Sequence, residues 1–297
     1  MRRLSNEEIT SLQTVSRVSR PGHLAMILQQ APSWPAGKET TLPVSQKSLH
    51  EGNALEGTGP VIETAIVLAG GLGQRLQPFT NDRPKAMLDV AGKPLLYWVL
   101  RWLRRNQVRR VVIGVAYRGK KIIEYFGNGE PLDLEIKYST HTIEGGTVEG
   151  FRLAIERHVK DKTFFAMNGD ELTNVRLQEL AAFHRLHGAT ATIALSPLRS
   201  PFGVMDTEGS DIVAFREKAI IESVSVSIGV YVFQNEILDY LPRIGQIEKT
   251  TFPRLAAERK LKAYRHNGFW MTVNTAKDLS EVQEELLKGG DVLCPSY

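Results

Sequence analysis

Glycines and basic side chains in residues 68–88 form a pattern suited to holding phosphate groups. The pattern follows a strand-like apolar run, Thr64–Leu68, and backbone N–H groups at glycine approach an anion without a Cβ in the way. Arg75 and Lys85 then supply fixed positive charge. The glycines of this predicted phosphate loop are Gly70, Gly71 and Gly73.

The loop differs from two common phosphate-binding patterns. No Gly-Lys-Ser or Gly-Lys-Thr closes a four-residue gap after a glycine, so the loop is not a Walker A loop. A dinucleotide fingerprint would need a third glycine, and no helix can start cleanly before Pro78. Because a glycine pair alone could form a simple tight turn, the prediction depends on the whole run of residues 68–88.

An aspartate follows a second apolar run and is a candidate metal ligand. Asp170 comes shortly after the strand-like run Thr163–Asn168. Mg²⁺ prefers one or two carboxylates together with phosphate oxygens, so a carboxylate at the end of a buried strand can hold the ion against a triphosphate. The alternative is that Asp170 caps the turn that follows the strand.

The run of residues 68–88 resembles the opening motif of the sugar-1-phosphate nucleotidyltransferases, the NDP-sugar pyrophosphorylases. That motif reads Leu-Ala-Gly-Gly-x-Gly-x-Arg-Leu-x-Pro-x-Thr, then a spacer and Pro-Lys-x-Met or Pro-Lys-x-Leu, and every fixed position is present. The resemblance covers about residues 63–280, with five motif blocks in the expected order. The nucleotide contacts that it implies are Leu68, Ala69, Gly70, Gly71, Gly73, Gly146 and Thr147.

The resemblance also implies the sugar-phosphate and metal contacts. Residues 212–218 match the Phe-x-Glu-Lys block, in which the carboxylate binds sugar hydroxyls and the ammonium pairs with the sugar phosphate. Glu217 and Lys218 take these roles here, together with Gly229 in a Ser-Ile-Gly segment where the family often has Asn-x-Gly. Asp170 takes the place of a metal ligand, and the implied cofactor is Mg²⁺.

The sequence departs from the family pattern at one metal position. The family reads Trp-x-Asp-x-Gly-Thr and uses that Asp as the second metal ligand, but Thr272 stands there in this chain. Asp170 and nucleotide phosphates could hold the metal alone. Alternatively Glu171, Asn274 or a water could compensate, or the activity could be diminished.

The implied reaction condenses an NTP with a sugar 1-phosphate to give an NDP-sugar and pyrophosphate. The nucleophile is a phosphate oxygen with a second pKa near 6, so it is largely dianionic at neutral pH and needs no general base. Catalysis then consists of positioning and charge neutralisation. We expect Arg75 to neutralise the leaving pyrophosphate and Lys85 to bridge the α-phosphate and the incoming phosphate.

Two alternatives to this function remain open. Thr272 would suit a catalytically weak homologue that binds an NDP-sugar as a regulatory subunit. A related enzyme would transfer a nucleotide to a polyol or choline phosphate, although the Phe-x-Glu-Lys block favours a sugar. The sequence specifies neither the base nor the sugar.

Strand-like and helical runs alternate from Glu63 onward and predict an α/β fold. We expect a Rossmann-like, mostly parallel sheet flanked by helices, of the nucleotide-diphospho-sugar transferase type, with ligands at the carboxyl ends of the strands. Residues 202–218 indicate an antiparallel hairpin inserted in this core, turning near Glu208 and Gly209. The predicted strands are Thr64–Leu68, Arg110–Ala116, Leu134–Ser139, Thr163–Asn168, Ala189–Leu195 and Val224–Phe233, and the predicted helices are Pro94–Asn106, Lys120–Phe126, Val148–His158, Leu177–His187 and Thr275–Leu287.

Composition and charge narrow the class of protein. The 297 residues are 42% hydrophobic and 24% charged, as in globular proteins. Residues 1–62 have five prolines and no sustained period, so we expect a flexible or poorly structured extension before a nucleotidyltransferase domain at residues 63–290. The net charge of +4 is small for this length and argues against a dedicated nucleic-acid binder.

Cysteine content and hydropathy predict a compartment and a set of partners. Cys294 is the only cysteine, and no apolar run approaches the roughly 18 residues that span a bilayer. The N-terminal apolar stretch is also too short for a signal segment, so we expect a cytoplasmic protein without a membrane partner. The expected partners are the NTP and the sugar 1-phosphate. A basic run at residues 101–110 is a solvated helix face or, alternatively, a contact between copies of the chain.

Overall fold

The computed structural model describes residues 59–288 and Leu293. Residues 1–58 of the predicted extension and Cys294 lie outside the described residues, so the predictions on them stay predictions. The described strands are β1 (Thr64–Leu68), β2 (Asp89–Val90), β3 (Lys93–Pro94), β4 (Arg110–Val115), β5 (Glu135–Thr140), β6 (Thr163–Asn168), β7 (Glu171–Thr173), β8 (Ala191–Arg199), β9 (Val204–Glu208), β10 (Asp211–Arg216), β11 (Ile220–Gln234), β12 (Leu261–Arg265) and β13 (Trp270–Thr272). The described α-helices are α1 (Leu95–Arg105), α2 (Lys120–Phe126), α3 (Gly146–His158), α4 (Leu177–His187), α5 (Thr251–Ala257) and α6 (Ala276–Leu287).

The main sheet has seven strands in the order β12-β8-β11-β6-β1-β4-β5. β1 runs parallel to β4 and β6, β4 runs parallel to β5, and β12 runs parallel to β8. β11 is antiparallel to both of its neighbours, β6 and β8. The chain reaches β11 from β8 through the β9–β10 hairpin, and such a connection reverses direction where a crossover helix would not. The predicted mostly parallel α/β sheet is therefore confirmed.

Successive side chains of the central strands pack on opposite faces of the sheet. In β1, Val67 belongs to the core cluster that contains the buried residues of α1 and α4, and Ile66 belongs to the cluster that contains those of α3 and α5. A strand with both faces covered is apolar throughout, because every position is then buried. This requirement explains why the sequence of β1 shows a continuous apolar run instead of an alternation.

The inserted hairpin and two short strand pairs complete the described fold. β9 pairs antiparallel with β10, with the turn after Glu208 where the sequence predicted it. β7 pairs antiparallel with β13, and β2 pairs with β3. The sequence does not predict these short strands, because two or three residues are too few to show a period. It also does not predict α5 and β12. It also started α3 two residues late, at Val148 instead of Gly146.

None of the described helices is both long enough and apolar enough to cross a membrane.

Candidate functional site

The carboxyl ends of β1 and β6 meet at one edge of the sheet. Leu68 lies opposite Asn168 in the parallel pair, and the Gly169 N–H donates to the Leu68 carbonyl at 2.8 Å. On the other side of β1, the Ala69 N–H donates to the Gly114 carbonyl at 2.7 Å. These bonds hold the start of the phosphate loop beside the segment that carries Asp170.

A cavity of about 320 Å³ opens at this edge. Eight residues that the sequence assigned to the site line it: Leu68, Ala69, Gly70, Gly71, Lys85, Gly146, Thr147 and Asp170. The structure therefore brings the opening loop, the Gly146–Thr147 segment and Asp170 around one space, and their contacts to a ligand stay predictions. The remaining lining residues are Leu72, Ala86, His141, Ile143, Asn168, Gly169 and Gln246.

Gly70 lies in a closely packed part of the cavity wall. A Cβ built on Gly70 would lie 2.7 Å from His141 Nε2 and 2.9 Å from the Ala116 Cβ. Only glycine fits there without a shift of the neighbours, which supports the reading of this glycine as a point of close approach. His141 Nδ1 contacts the Thr142 carbonyl at 2.9 Å, while Nε2 is buried without a partner among the described residues.

The loop is folded around its last glycine and two short 3₁₀ turns. Gly73 has a φ of 63°, and the Thr80 hydroxyl donates to its carbonyl at 2.9 Å. Arg75 lies in the first turn, Gln74–Leu76, and Lys85 begins the second, Lys85–Met87. The left-handed backbone at Gly73 explains the glycine at this position, because side chains with a Cβ rarely adopt it.

Lys85 connects the loop to Asp170, which follows β6, and to Asn274, which follows β13. Its ammonium is mostly buried and donates to Asp170 Oδ2 at 2.5 Å and to Asn274 Oδ1 at 2.9 Å. Arg75 Nη2 donates to the same Asn274 oxygen at 3.2 Å, and its side chain is exposed. An ammonium has three donors, so its two partners here leave one N–H for a ligand phosphate.

The short β7–β13 pair brings Asn274 to this cluster. Thr272 lies opposite Glu171 in the pair, and the Val273 N–H donates to the Asp170 carbonyl at 3.3 Å. Asn274 Nδ2 donates to Thr272 Oγ1 at 3.0 Å. The β7–β13 pair, with three residues in each strand, thus fixes the position of Asn274 in the segment after β13.

Glu171 is buried opposite Thr272 in the β7–β13 pair. Its Oε2 accepts from the Trp270 indole N–H at 2.8 Å. Burial, together with the neighbouring Asp170 carboxylate, raises the pKa of Glu171 to about 8. The carboxyl group therefore keeps its proton to a higher pH than an exposed glutamate does.

The donor set fits a metal ion that arrives with the nucleotide better than a resident one. Among the described residues, no group of three or more His, Cys, Asp and Glu side chains is placed to hold a metal ion. Asp170 lines the cavity with a partly exposed carboxylate, and Thr272 offers a neutral hydroxyl. One carboxylate with substrate phosphates is a common way to bind Mg²⁺, so the residues present fit this ion.

None of the three predicted sugar-phosphate contacts is among the residues that line the cavity. Glu217 and Lys218 follow β10 and are exposed, and Lys218 Nζ is 3.6 Å from Glu281 of α6. Gly229 is buried in β11 with a φ of 67°, and a Cβ there would meet Glu171 and Asn168. The assignments of Glu217, Lys218 and Gly229 to the sugar phosphate stay predictions.

The sequence does not indicate the positions of Asn274 and Gln246 at the site. It offers Asn274 as one of several alternatives for a metal contact, but it does not predict the contacts of Asn274 to Arg75 and Lys85. Gln246 lines the cavity beside Thr147, whose hydroxyl accepts from the Ile247 N–H at 2.8 Å. Gln246 lies outside every motif block, so no sequence signal could have identified it.

Comparisons with known proteins agree with the fold. A family model described as nucleotidyl transferase matches residues 64–289. The Bacillus subtilis protein named "Probable glucose-1-phosphate cytidylyltransferase" is 30% identical over 254 residues, covering 77% of this chain and 98% of that protein. The mannose-1-phosphate guanylyltransferase catalytic subunit beta of Dictyostelium discoideum is 33% identical over 245 residues, covering 76% of this chain and 68% of that protein.

Other mannose-1-phosphate guanylyltransferases are longer than the matched region. The match spans 65% of the Mycobacterium tuberculosis enzyme and 61% of the Yarrowia lipolytica enzyme. Among solved structures, HddC from Yersinia pseudotuberculosis complexed with GMP-PN has a TM-score of 0.60 and 20% identity, covering 76% of this chain and all of that chain. At this identity the likeness supports the fold alone.

Proposed function

The chain belongs to the nucleotidyl transferase family, and from this premise we propose that it condenses an NTP with a sugar 1-phosphate to form an NDP-sugar and pyrophosphate. One observation carries the proposal. A buried lysine, Lys85, is held between Asp170 and Asn274 at a cavity walled by a glycine-rich loop. A cation fixed in this way can neutralise charge that develops on a transferring phosphoryl group.

The proposed mechanism relies on positioning and charge. The sugar 1-phosphate oxygen attacks the α-phosphorus of the NTP, and the bond from that phosphorus to the bridging oxygen of pyrophosphate breaks. Lys85 contacts the α-phosphate and the incoming phosphate, and Arg75 contacts the leaving pyrophosphate. Backbone N–H groups of the loop at Gly70 and Gly71 bind phosphate oxygens. No side chain has to accept a proton, because the attacking phosphate is already largely dianionic.

A divalent cation, Mg²⁺ in our proposal, completes the charge balance. Asp170 would hold it together with the nucleotide phosphates, and it would neutralise charge on the polyphosphate. The Thr272 hydroxyl supplies no charge to this site. We therefore expect the ion to bind much more tightly in the presence of nucleotide than in its absence.

The relatives favour an enzyme over a regulatory homologue. The four relatives described above carry transferase names, and nothing in the comparisons favours the regulatory alternative. Their names include a cytidylyl and a guanylyl transfer, to glucose 1-phosphate and mannose 1-phosphate respectively. We propose a hexose 1-phosphate as the acceptor in this chain, with the base to be identified by experiment.

Pyrophosphate release tests the proposal directly. The full chain would be assayed with each of four NTPs against glucose 1-phosphate and mannose 1-phosphate in the presence of Mg²⁺. We expect turnover with at least one pair and a fall in kcat of about 100-fold or more in Lys85→Ala and Asp170→Ala. The exposed residues Lys160 and Asp239 provide matched controls as Lys160→Ala and Asp239→Ala, which should keep the wild-type rate.

Two results would contradict the proposal. Full activity in both site variants would remove Lys85 and Asp170 from the mechanism. An NDP-sugar that binds in a calorimetric titration, with no turnover for any pair, would favour the regulatory alternative instead.

A further inference from the structure

Two basic side chains of the phosphate loop share a single neutral partner. The amide oxygen of Asn274 accepts from Lys85 Nζ at 2.9 Å and from Arg75 Nη2 at 3.2 Å. Asp170 already pairs with Lys85, and the shared amide oxygen brings Arg75 beside that pair. An amide oxygen does this without adding a second negative charge.

A hydrogen bond to Thr272 orients the side chain of Asn274. Its Nδ2 donates to Thr272 Oγ1 at 3.0 Å, so the amide oxygen must face the two cations. Thr272 in turn lies opposite the buried Glu171 in the β7–β13 pair. The bond to Thr272 and the bonds from the two cations therefore favour one orientation of the amide.

The backbone of Asn274 is fixed separately from its side chain. Its N–H donates to Asp278 Oδ2 at 2.9 Å, within the cap of α6. Substitution of the side chain by alanine keeps this backbone bond. The contribution of the amide can therefore be measured without loss of the helix cap.

We propose that Asn274 is a positioning residue that holds Arg75 and Lys85 toward the polyphosphate, and that Thr272 sets the orientation of its amide. The proposal rests on the proposed function and adds to it. It explains the combination of residues in β13 and the segment after it: a hydroxyl at 272 and an amide at 274 form a neutral support for two cations. A carboxylate at 274 in place of the amide would add a second negative charge to that of Asp170 beside the two cations.

The test uses Asn274→Ala in both directions of the reaction. In the forward direction we expect kcat to fall about 10- to 100-fold, because small displacements of positioned groups have effects of this size. In the reverse direction the KM for pyrophosphate should rise about 10-fold while the KM for NDP-sugar stays within about twofold, because Arg75 serves the pyrophosphate. The exposed Asn267 provides the control, and Asn267→Ala should leave all three constants unchanged.

A double substitution shows whether Asn274 acts through Arg75 or independently of it. If Asn274 acts through Arg75, the rise in pyrophosphate KM caused by Asn274→Ala should largely disappear in an Arg75→Ala background. Equal rises in both backgrounds would overturn the proposal. An unchanged pyrophosphate KM in Asn274→Ala would also overturn it.

Two conservative substitutions at Thr272 test the role of this residue. They keep the proposal falsifiable if Asn274→Ala folds poorly. Thr272→Ser retains the hydroxyl and should keep kcat within about twofold of wild type, whereas the isosteric Thr272→Val should lower kcat several-fold, since it removes a polar partner. Equal rates in the two variants would refute this role. Failure of the proposed function would be seen earlier, as an inactive wild-type chain.

Discussion

Gly70 and Gly71 are neighbours in the phosphate loop, but their surroundings make opposite demands on a side chain. A Cβ at Gly70 would lie 2.7 Å from His141 Nε2 and 2.9 Å from the Ala116 Cβ, whereas a Cβ at Gly71 would meet nothing within 4 Å. The two glycines look equivalent in the sequence. The structure shows that packing requires glycine at Gly70 and leaves room for a side chain at Gly71.

We expect Gly70→Ala to destabilise the protein by about 1–3 kcal/mol, because overpacking forces the His141 ring and the loop to shift. Gly71→Ala is the matched control and should change the free energy of unfolding by no more than about 0.5 kcal/mol. Urea unfolding of the ligand-free proteins measures both values. Equal stabilities for the two variants would show that the loop relaxes freely around the added methyl group.

At the scale of residues, the motif blocks predicted some positions and missed others for a physical reason. Lys85 and Asp170 lie in motif blocks, and the structure places both at the cavity. Asn274 contacts Arg75 across 199 positions of the chain, and its role depends on which strand pairs with β7. A single sequence contains no local pattern that reports such a pairing.

At the scale of elements, the start of α6 supports the site. Thr275 and Asp278 form a capping box, in which the Thr275 hydroxyl accepts from the Asp278 N–H at 3.2 Å and Asp278 Oδ2 accepts from the Thr275 N–H at 2.8 Å. The same Asp278 oxygen accepts from the Asn274 N–H. The cap therefore ties the first turn of the helix to the residue that contacts both loop cations.

Asp278→Ala should lower stability by about 1 kcal/mol through loss of the cap. It should also lower the rate of pyrophosphate release, because the backbone at Asn274 is no longer fixed. Glu284→Ala, an exposed acidic position of the same helix, is the control and should affect neither property. Thermal unfolding and the rate assay, run on the same preparations, compare the two effects. A loss of stability without any change in rate would contradict the link between the cap and the site.

The elements that could be predicted from the sequence are those with a strong local signal. The predicted and observed bounds agree for β1, β6, α2 and α4. The first two are apolar runs that end in turn residues, and α2 and α4 each end at a glycine. The sequence predicts that β11 starts at Val224, but the strand begins at Ile220, because the exposed polar pair Glu222 and Ser223 interrupts the apolar run.

At the scale of the whole molecule, the site forms only when distant parts of the chain come together. Its residues run from Leu68 to Asn274 and include the ends of β1 and β6 and the segment after β13. The order of these segments can be predicted from motif blocks. Their distances cannot, since these depend on a sheet in which β6 lies beside β1 and not beside β5, the main-sheet strand that precedes it in the chain.

Global stability should also depend on a buried histidine that joins three elements. His184 of α4 contacts Thr192 of β8 at 2.8 Å and Gln234 of β11 at 3.0 Å, and it is fully buried. Burial lowers the pKa of His184 from 6.5 to about 4. The native state therefore keeps the ring neutral at a pH where the unfolded chain protonates it.

The sign of the resulting pH dependence follows from proton binding. The unfolded state binds the extra proton below about pH 6.5, so the stability that His184 contributes is complete above that pH and is lost as the pH falls toward 4. Between pH 7 and pH 5 the loss amounts to about 2 kcal/mol. Glu171 acts in the opposite direction, because its pKa is raised to about 8 and its contribution to stability declines as the pH rises above the value of the unfolded chain.

A comparison of variants isolates the histidine from other titrating groups. We expect the difference in unfolding free energy between wild type and His184→Gln to shrink by about 2 kcal/mol when the pH is lowered from 7 to 5, because only the wild type loses the contribution of the neutral ring. His187→Gln, at an exposed position of the same helix, should keep a constant difference from wild type. Urea unfolding at the two pH values measures both differences. A difference for His184→Gln that does not change with pH would mean that the ring is already protonated in the native core at pH 5, and the partners of His184 would then have to rearrange to accept its charge.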